Sequence, residues 1–251
     1  MIYTNGCSYT YGIGCAQHDS AENCKKYCWP TKLSELLNDS VINESIPGSS
    51  NLRIARDTIT ALAKDEFKIA IVMWSDTCRT ELFRPGEGEF RKISMAQITP
   101  QNVSNIKSFY HKEAFESYYG FINSDERALL ESLTLMLGVN AMAKARNIPL
   151  INLHFKKNFN RYYRHVLKKA EKMEDITHKT LIGDVNKLKN AILETNNHFF
   201  GFDSEYGSFE WFVRENDLPF SNFSLGHPGR EAHEEMAKWI HNYIIENDLV
   251  S

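Results

Sequence analysis

Short, continuously apolar runs alternate along this chain with longer stretches in which apolar residues recur every three to four positions. That rhythm predicts an α/β sheet with mostly parallel strands. Met1 to Asn5 reads as a first strand and Val41-Ile42-Asn43 as a second. Ile69 to Trp74 is apolar at every position, as a strand covered on both faces requires. A fourth strand, Leu150 to His154, follows Asn147-Ile148-Pro149.

Between these runs the spacing predicts helices. One runs from about Pro30 to Asn38, with proline in the first turn, where a missing N–H costs little. A second is capped by Ser49 or Ser50 after Pro47-Gly48 and carries Leu52, Ala55, Ile59 and Leu62 at helical spacing. A long helix covers about Asp125 to Arg146, and a last one about Pro228 to Asn247, with Ala232, Met236, Trp239, Ile240 and Tyr243 facing inward. From about 75 to 125 the periodicity fades and Pro85, Gly86, Gly88 and Pro100 punctuate the chain, as in an insertion near a functional face. Residues from about 156 to 197 are helical in pattern but charged, so only one face packs on the body. Neither a repeat nor a low-complexity linker interrupts the chain, and residues 1–251 read as a single domain.

Composition narrows the functional classes. Twenty-nine Lys and Arg against 32 Asp and Glu leave a formal charge of −3, without the basic field that grips a nucleic-acid backbone; no nucleic-acid partner is expected. The longest apolar run, Ile69 to Trp74, falls far short of the roughly 20 residues a membrane helix needs, so no membrane partner is expected either. The opening Met1-Ile2-Tyr3-Thr4-Asn5-Gly6 has neither the basic region nor the apolar stretch of a secretion signal. A cytoplasmic protein, in a host cytoplasm if encoded by a phage, is the expectation, with its five cysteines reduced. Cys24-x-x-x-Cys28 lacks a second close Cys or His pair, so no zinc, and no other metal or cofactor, is expected.

In a parallel sheet, ligands bind outside the carboxyl ends of the strands. Four polar clusters fall there. After the first strand comes Gly6-Cys7-Ser8-Tyr9-Thr10-Tyr11-Gly12, where Ser8 stands at the rim as a candidate nucleophile. A Walker loop is excluded, because Gly12 is followed by Ile13-Gly14 rather than Lys and Ser or Thr, and the dinucleotide fingerprint lacks its third glycine. After the second strand, Pro47-Gly48-Ser49-Ser50-Asn51 offers a glycine N–H to an oxyanion. After the third, Trp74-Ser75-Asp76-Thr77-Cys78-Arg79-Thr80-Glu81 presents hydrogen-bonding groups, with Arg79 and Glu81 able to pair and close the insertion. Before the last helix, Gly226-His227-Pro228 supplies a histidine that can serve as a general base. His154, ending the fourth strand, is a further candidate for substrate contact.

In this order the motifs resemble the SGNH/GDSL hydrolases, and look most like their bacteriophage-encoded relatives. The segments that carry the resemblance are Gly6 to Gly12, Trp29-Pro30, Gly48 to Asn51, Trp74 to Glu81 and Gly226-His227-Pro228. It implies a flavodoxin-like three-layer α/β/α sandwich and a serine hydrolase acting on a small acyl ester, such as an acyl group on a carbohydrate or lipid. Position by position it makes Ser8 the nucleophile, Gly48 an oxyanion donor and His227 the base, with Asn51 beside them. Two departures stand out. Ser75 or Asp76 occupies the place of an asparagine oxyanion donor, and Ser75 is the better candidate because an ionised Asp76 repels an oxyanion. Ser224 occupies the place of the aspartate that orients the histidine, leaving a backbone carbonyl nearby, Asp203 or Asp217 as substitutes. The competing reading is a weak or inactive binding module of a phage that keeps the fold.

Overall fold

The computed structural model describes residues 1–16, 20–77, 79, 125–155, 164–165, 167–168, 176–195, 198, 200, 208–224 and 226–250. Most of the expected insertion, part of the expected helical segment at 156–197, Glu81 and Asp203 lie outside them. The described elements run β1 (Ile2–Asn5), α1 (Ser8–Tyr11), α2 (Ala21–Tyr27), α3 (Trp29–Leu37), β2 (Val41–Asn43), α4 (Asn51–Lys64), β3 (Ile69–Trp74), α5 (Asp125–Ala145), β4 (Leu150–His154), α6 (Ile176–Thr195), α7 (Phe209–Glu215) and α8 (Arg230–Glu246).

The strands form one parallel sheet in the order β2-β1-β3-β4. Ile2 pairs with Val41 on one side and Ile69 on the other, and Trp74 pairs with His154. Beyond β4, Asn152 receives a hydrogen bond from the Phe200 amide and gives one to the His198 carbonyl, each 3.0 Å, continuing the parallel ladder outward.

Because strand side chains alternate between faces, the sheet builds two cores. Tyr3, Ala70, Val72, Trp74 and Leu150 meet α4, α5 and α6 on one side. Ile2, Ile69, Ile71, Met73, Ile151 and Leu153 meet α3, α7 and α8 on the other. The result is the expected three-layer α/β/α sandwich, with β2 at an edge and its Ile42 exposed. Among the described residues, no helix is long and apolar enough to cross a membrane.

Local differences from the sequence pattern have physical causes. In α4 the buried stripe is Asn51, Ile54, Ala55, Thr58, Ala61 and Leu62, while Leu52 is exposed. Two polar residues complete that stripe because they have partners: Thr58 Oγ1 accepts from Asn5 Nδ2 at 3.2 Å, and Asn51 bonds across to β3. In α8 the buried residues are Ala232, His233, Met236, Ala237, Ile240 and Ile244, with Trp239 and Tyr243 half-buried at its margin. The glycine-punctuated loop after β1 contains the single helical turn α1, and the seven-residue α7 was not apparent from periodicity.

Candidate active site

Three loop systems meet at the carboxyl edge of the sheet. The first leaves β1 through Asn5, whose buried side chain accepts the Gly6 amide at 2.7 Å and donates to the Tyr3 hydroxyl at 3.1 Å. Cys7 then turns the chain into α1, and Ser8 becomes its first residue, nearly buried. The Cys7 side chain goes the other way, into the core with Trp29, Ile71 and Met73. A first-turn N–H has no intrahelical acceptor, so the Ser8 amide and hydroxyl share the rim.

The second system begins at Asn43, which ends β2 and donates to the Thr10 carbonyl at 3.3 Å, tying the β2 exit to α1. A turn follows in which the Ser49 amide and hydroxyl both bond the Ile46 carbonyl, at 3.1 and 2.8 Å. Gly48 lies inside it at φ +79°, and its N–H makes no hydrogen bond among the described residues. Asn51 faces inward: its Oδ1 accepts the Ser75 amide at 2.8 Å, and its Nδ2 donates to the Ser75 carbonyl at 3.3 Å and Ser132 Oγ at 3.0 Å. Its amide group braces the end of β3 against α4 and α5 rather than pointing at the cleft.

The third system carries His227. Ser221 and His227 close a loop through the Ser221 amide and the His227 carbonyl, 2.8 Å apart, while the His227 amide bonds the Ser224 carbonyl at 3.1 Å. Ser221 Oγ accepts the amides of Phe223 and Ser224. Tyr9, one residue beyond Ser8, donates its hydroxyl to the Gly226 carbonyl, so α1 itself holds the histidine loop. Burial raises the Tyr9 phenol far above its ordinary value, which keeps that donor protonated. Gly14, at φ +94°, allows the close approach on the other side: a Cβ there would stand 2.9 Å from the Pro228 carbonyl and 3.0 Å from His227 Cβ.

These anchors bring His227 Nε2 to 3.0 Å from Ser8 Oγ, across 219 positions of sequence. On the other side of the ring, Nδ1 lies 3.2 Å from Ser224 Oγ. A proton on Nδ1 satisfies both contacts, since Nδ1–H then donates to Ser224 and Nε2 accepts the Ser8 hydroxyl. The Tyr9 ring packs against the imidazole with centroids 5.3 Å apart. Asp217 is exposed, just past the end of α7, where its amide bonds the Arg214 carbonyl.

Ser75, directly after β3, is buried and accepts Arg79 Nη1 at 2.7 Å on its hydroxyl. Asp76, half-buried, starts the turn that its carbonyl closes with the Arg79 amide. His154 lies under the rim, 2% exposed, paired with Trp74 in β4. Burial pushes its pKa down to about 3, so it stays neutral and offers the cleft little surface. His233 is also fully buried and pushed down to about 3, by burial first and then by the nearby His227. Its Nδ1 accepts the Trp29 amide at 3.1 Å at the start of α3. Among the described residues, no group of three His, Cys, Asp or Glu converges as a metal site would.

The supporting residues Asn5, Asn43, Ser221 and Tyr9 were not singled out by sequence as positioning groups. Each is a polar residue at a strand end or loop whose partner is known only from the fold. Two of them carry a sequence signal: Tyr9 as part of the Gly6 to Gly12 segment, and Asn43 as the residue upstream of the Pro47-Gly48 turn.

Neither a family model nor a curated protein matches the chain. Among solved structures, the fold is similar to a protein from Desulfitobacterium hafniense DCB-2 assigned to the G-D-S-L family of lipolytic proteins, with a TM-score of 0.50 and 9% identity over 96% of this chain and 97% of that one. The psychrotrophic esterase EstA from Pseudoalteromonas sp. matches with a TM-score of 0.49 and 14% identity, over 98% of this chain and 96% of its own. An acetyl xylan esterase, AlAXEase, matches with a TM-score of 0.47 and 9% identity, over 97% and 100%. The fold is thus similar to that of the lipolytic G-D-S-L protein. At such identities the likeness is one of fold and says nothing of individual side chains.

Proposed function

We propose that this chain is a serine ester hydrolase in which Ser8 attacks and His227 is the base. The observation that carries the reading is the 3.0 Å approach of Ser8 Oγ to His227 Nε2 at the carboxyl edge of the sheet. The ester class is drawn from the lipolytic G-D-S-L protein whose fold this chain shares. The substrate is a small acyl ester, with a carbohydrate or lipid as the alcohol.

As Ser8 Oγ forms its bond to the ester carbonyl carbon, its proton passes to His227 Nε2 and the carbonyl π pair moves onto oxygen. The N–H groups of Ser8 and Gly48 face that oxygen. Ser75 adds a third donor: by accepting Arg79 Nη1 it leaves its own O–H free to point at the oxyanion. Asn51 acts through Ser75, fixing the backbone that carries it. Collapse of the tetrahedral intermediate breaks the bond to the alcohol oxygen, which leaves with the proton from Nε2. Water then repeats the sequence on the acyl-Ser8 ester, giving the acid and restoring the hydroxyl.

Ser224 orients the imidazole but carries no charge to stabilise its protonated form. In serine proteases, replacing the aspartate costs about 10⁴ in turnover, so a slow enzyme is expected. The same hydroxyl favours the second reading, a binding module that has kept the fold. A fluorophosphonate probe and 4-nitrophenyl acetate turnover separate them. Wild-type protein is expected to be labelled at Ser8 and to turn over, Ser8→Ala to do neither, and His227→Ala to label far more slowly. Equal turnover by wild type and Ser8→Ala refutes the serine mechanism.

A further inference from the structure

The site holds a cation that the hydrolysis above does not consume. Arg79 projects from the turn after β3, half-buried, with its guanidinium 4.9 Å from the Phe155 ring centroid. Phe155 meets Tyr9 edge-on at 5.1 Å, and Tyr9 meets His227 at 5.3 Å. On its other flank Arg79 reaches Ser75 Oγ at 2.7 Å. The guanidinium is therefore linked to both halves of the site, through two aromatic rings to the imidazole and through the Ser75 hydroxyl to the end of β3.

Its side-chain partners among the described residues, Ser75 and Phe155, are neutral. Among the described residues no carboxylate forms an ion pair with Arg79. Glu210, the acid whose field reaches Tyr9, is instead bound to Arg214 at 3.1 Å. Of the five N–H donors a guanidinium carries, one is taken by Ser75. A half-buried charge that makes no ion pair among the described residues, with only Asp76 of its own turn as an acidic neighbour in sequence there, keeps several unspent donors, and the fork it presents matches a carboxylate or phosphate bidentately. The contact with Phe155 holds the guanidinium at the site before any ligand arrives.

We propose that Arg79 is an anion-recognition residue, and that the preferred substrates are esters bearing a carboxylate or phosphate within a few bonds of the scissile carbonyl. This rests on the ester-hydrolase reading and narrows its substrate class. Both the acyl and the alcohol side are open to the anion, because Arg79 borders Ser75 and the Phe155–Tyr9 wall.

Two matched pairs, each differing in one anionic group, test it. 4-Acetoxybenzoate against 4-acetoxybenzamide places the charge on the leaving group, and the 4-nitrophenyl monoester of adipic acid against 4-nitrophenyl hexanoate places it on the acyl group. For at least one pair, wild-type kcat/KM is expected to favour the anion by on the order of 10- to 100-fold, the scale of a charge-assisted hydrogen-bonded pair. That ratio should shrink as salt is raised, collapse towards unity in Arg79→Gln, and be partly kept in Arg79→Lys. Using the ratio cancels any general loss of rate from disturbing Ser75. Wild-type ratios at or below unity in both pairs, or a ratio unaltered in Arg79→Gln, overturn the proposal.

Calorimetric binding of the product 4-hydroxybenzoate and of adipate to unreacted protein separates this inference from the hydrolase reading. Binding of either anion that is lost in Arg79→Gln upholds the anion site even if Ser8→Ala proves the serine mechanism wrong. Absence of binding by both, together with an intact Ser8-dependent turnover and no anionic preference, removes the anion site and leaves the hydrolase.

Discussion

Replacing Ser224 by aspartate changes one term of the site, the charge beside the imidazole. Ser224 Oγ stands 3.2 Å from His227 Nδ1, and a carboxylate oxygen at that distance attracts an imidazolium by about 1.3 kcal/mol at a dielectric of about 80 and about 2.6 at about 40. The high dielectrics suit a ring that is only half-buried. During attack the imidazole becomes charged, so this energy enters the barrier directly and predicts a rise in kcat of about 10- to 80-fold. The sign of the pH effect follows from the same contact. An opposite charge favours protonated His227, the base must be neutral to act, and so the acidic limb of the kcat/KM profile should move to higher pH in Ser224→Asp. The assay is 4-nitrophenyl acetate hydrolysis from pH 5 to 9, with Ser224→Asn as a neutral control of similar shape. A rate on the plateau equal to wild type, or an acidic limb moved downward, would refute the reasoning.

Three other outcomes are expected. Gly14→Ala must hold a Cβ at φ +94° and 3.0 Å from His227 Cβ; a loss of about 1–3 kcal/mol, seen as a fall in Tm of several degrees, should accompany reduced turnover, and an unchanged Tm would count against the close packing of these loops. Asn51→Leu leaves the buried Ser75 amide without its acceptor and should cost about 2–4 kcal/mol in urea unfolding, whereas a variant within about 0.5 kcal/mol of wild type would show that the brace is dispensable. His154 and His233 are both held near pKa 3 by burial, below the roughly 6.5 of an unfolded histidine. The unfolded chain thus takes up protons first: their contribution is complete above about pH 6.5 and is lost as pH falls, by about 1.4 kcal/mol per pH unit for each ring. Urea midpoints measured from pH 7 to 4.5 should decline accordingly, and less steeply in His233→Asn; a flat profile in wild type would contradict the buried neutral state.

Much of the scaffold could be read from the chain because burial leaves a local mark. Ile69 to Trp74 is apolar throughout since both faces of β3 are covered, and the 3.6-residue rhythm of Leu129, Leu133, Met136 and Val139 follows from the fully buried side of α5 in the core it shares with α4 and α6. The exposed Leu52 and the buried Asn51 show the limit of that signal. Periodicity counts apolar residues, whereas a polar side chain is buried when a distant partner satisfies it, here Ser75 and Ser132. His154 illustrates the same limit, since its place at a strand end suggested the cleft and the packing put it beneath.

The chain alone therefore determined the α/β layering, the strand positions and the list of polar residues that leave the sheet at its carboxyl edge, all of which depend on neighbours within a dozen positions. Which of those residues touch was decided by tertiary structure. The contacts of Ser8 with His227, of Tyr9 with Gly226 and of Arg79 with Phe155 join segments between 76 and 219 positions apart (the last from Arg79 to Phe155 itself). A hydrogen bond or ring contact is a matter of ångströms between side chains, and no local pattern encodes that distance.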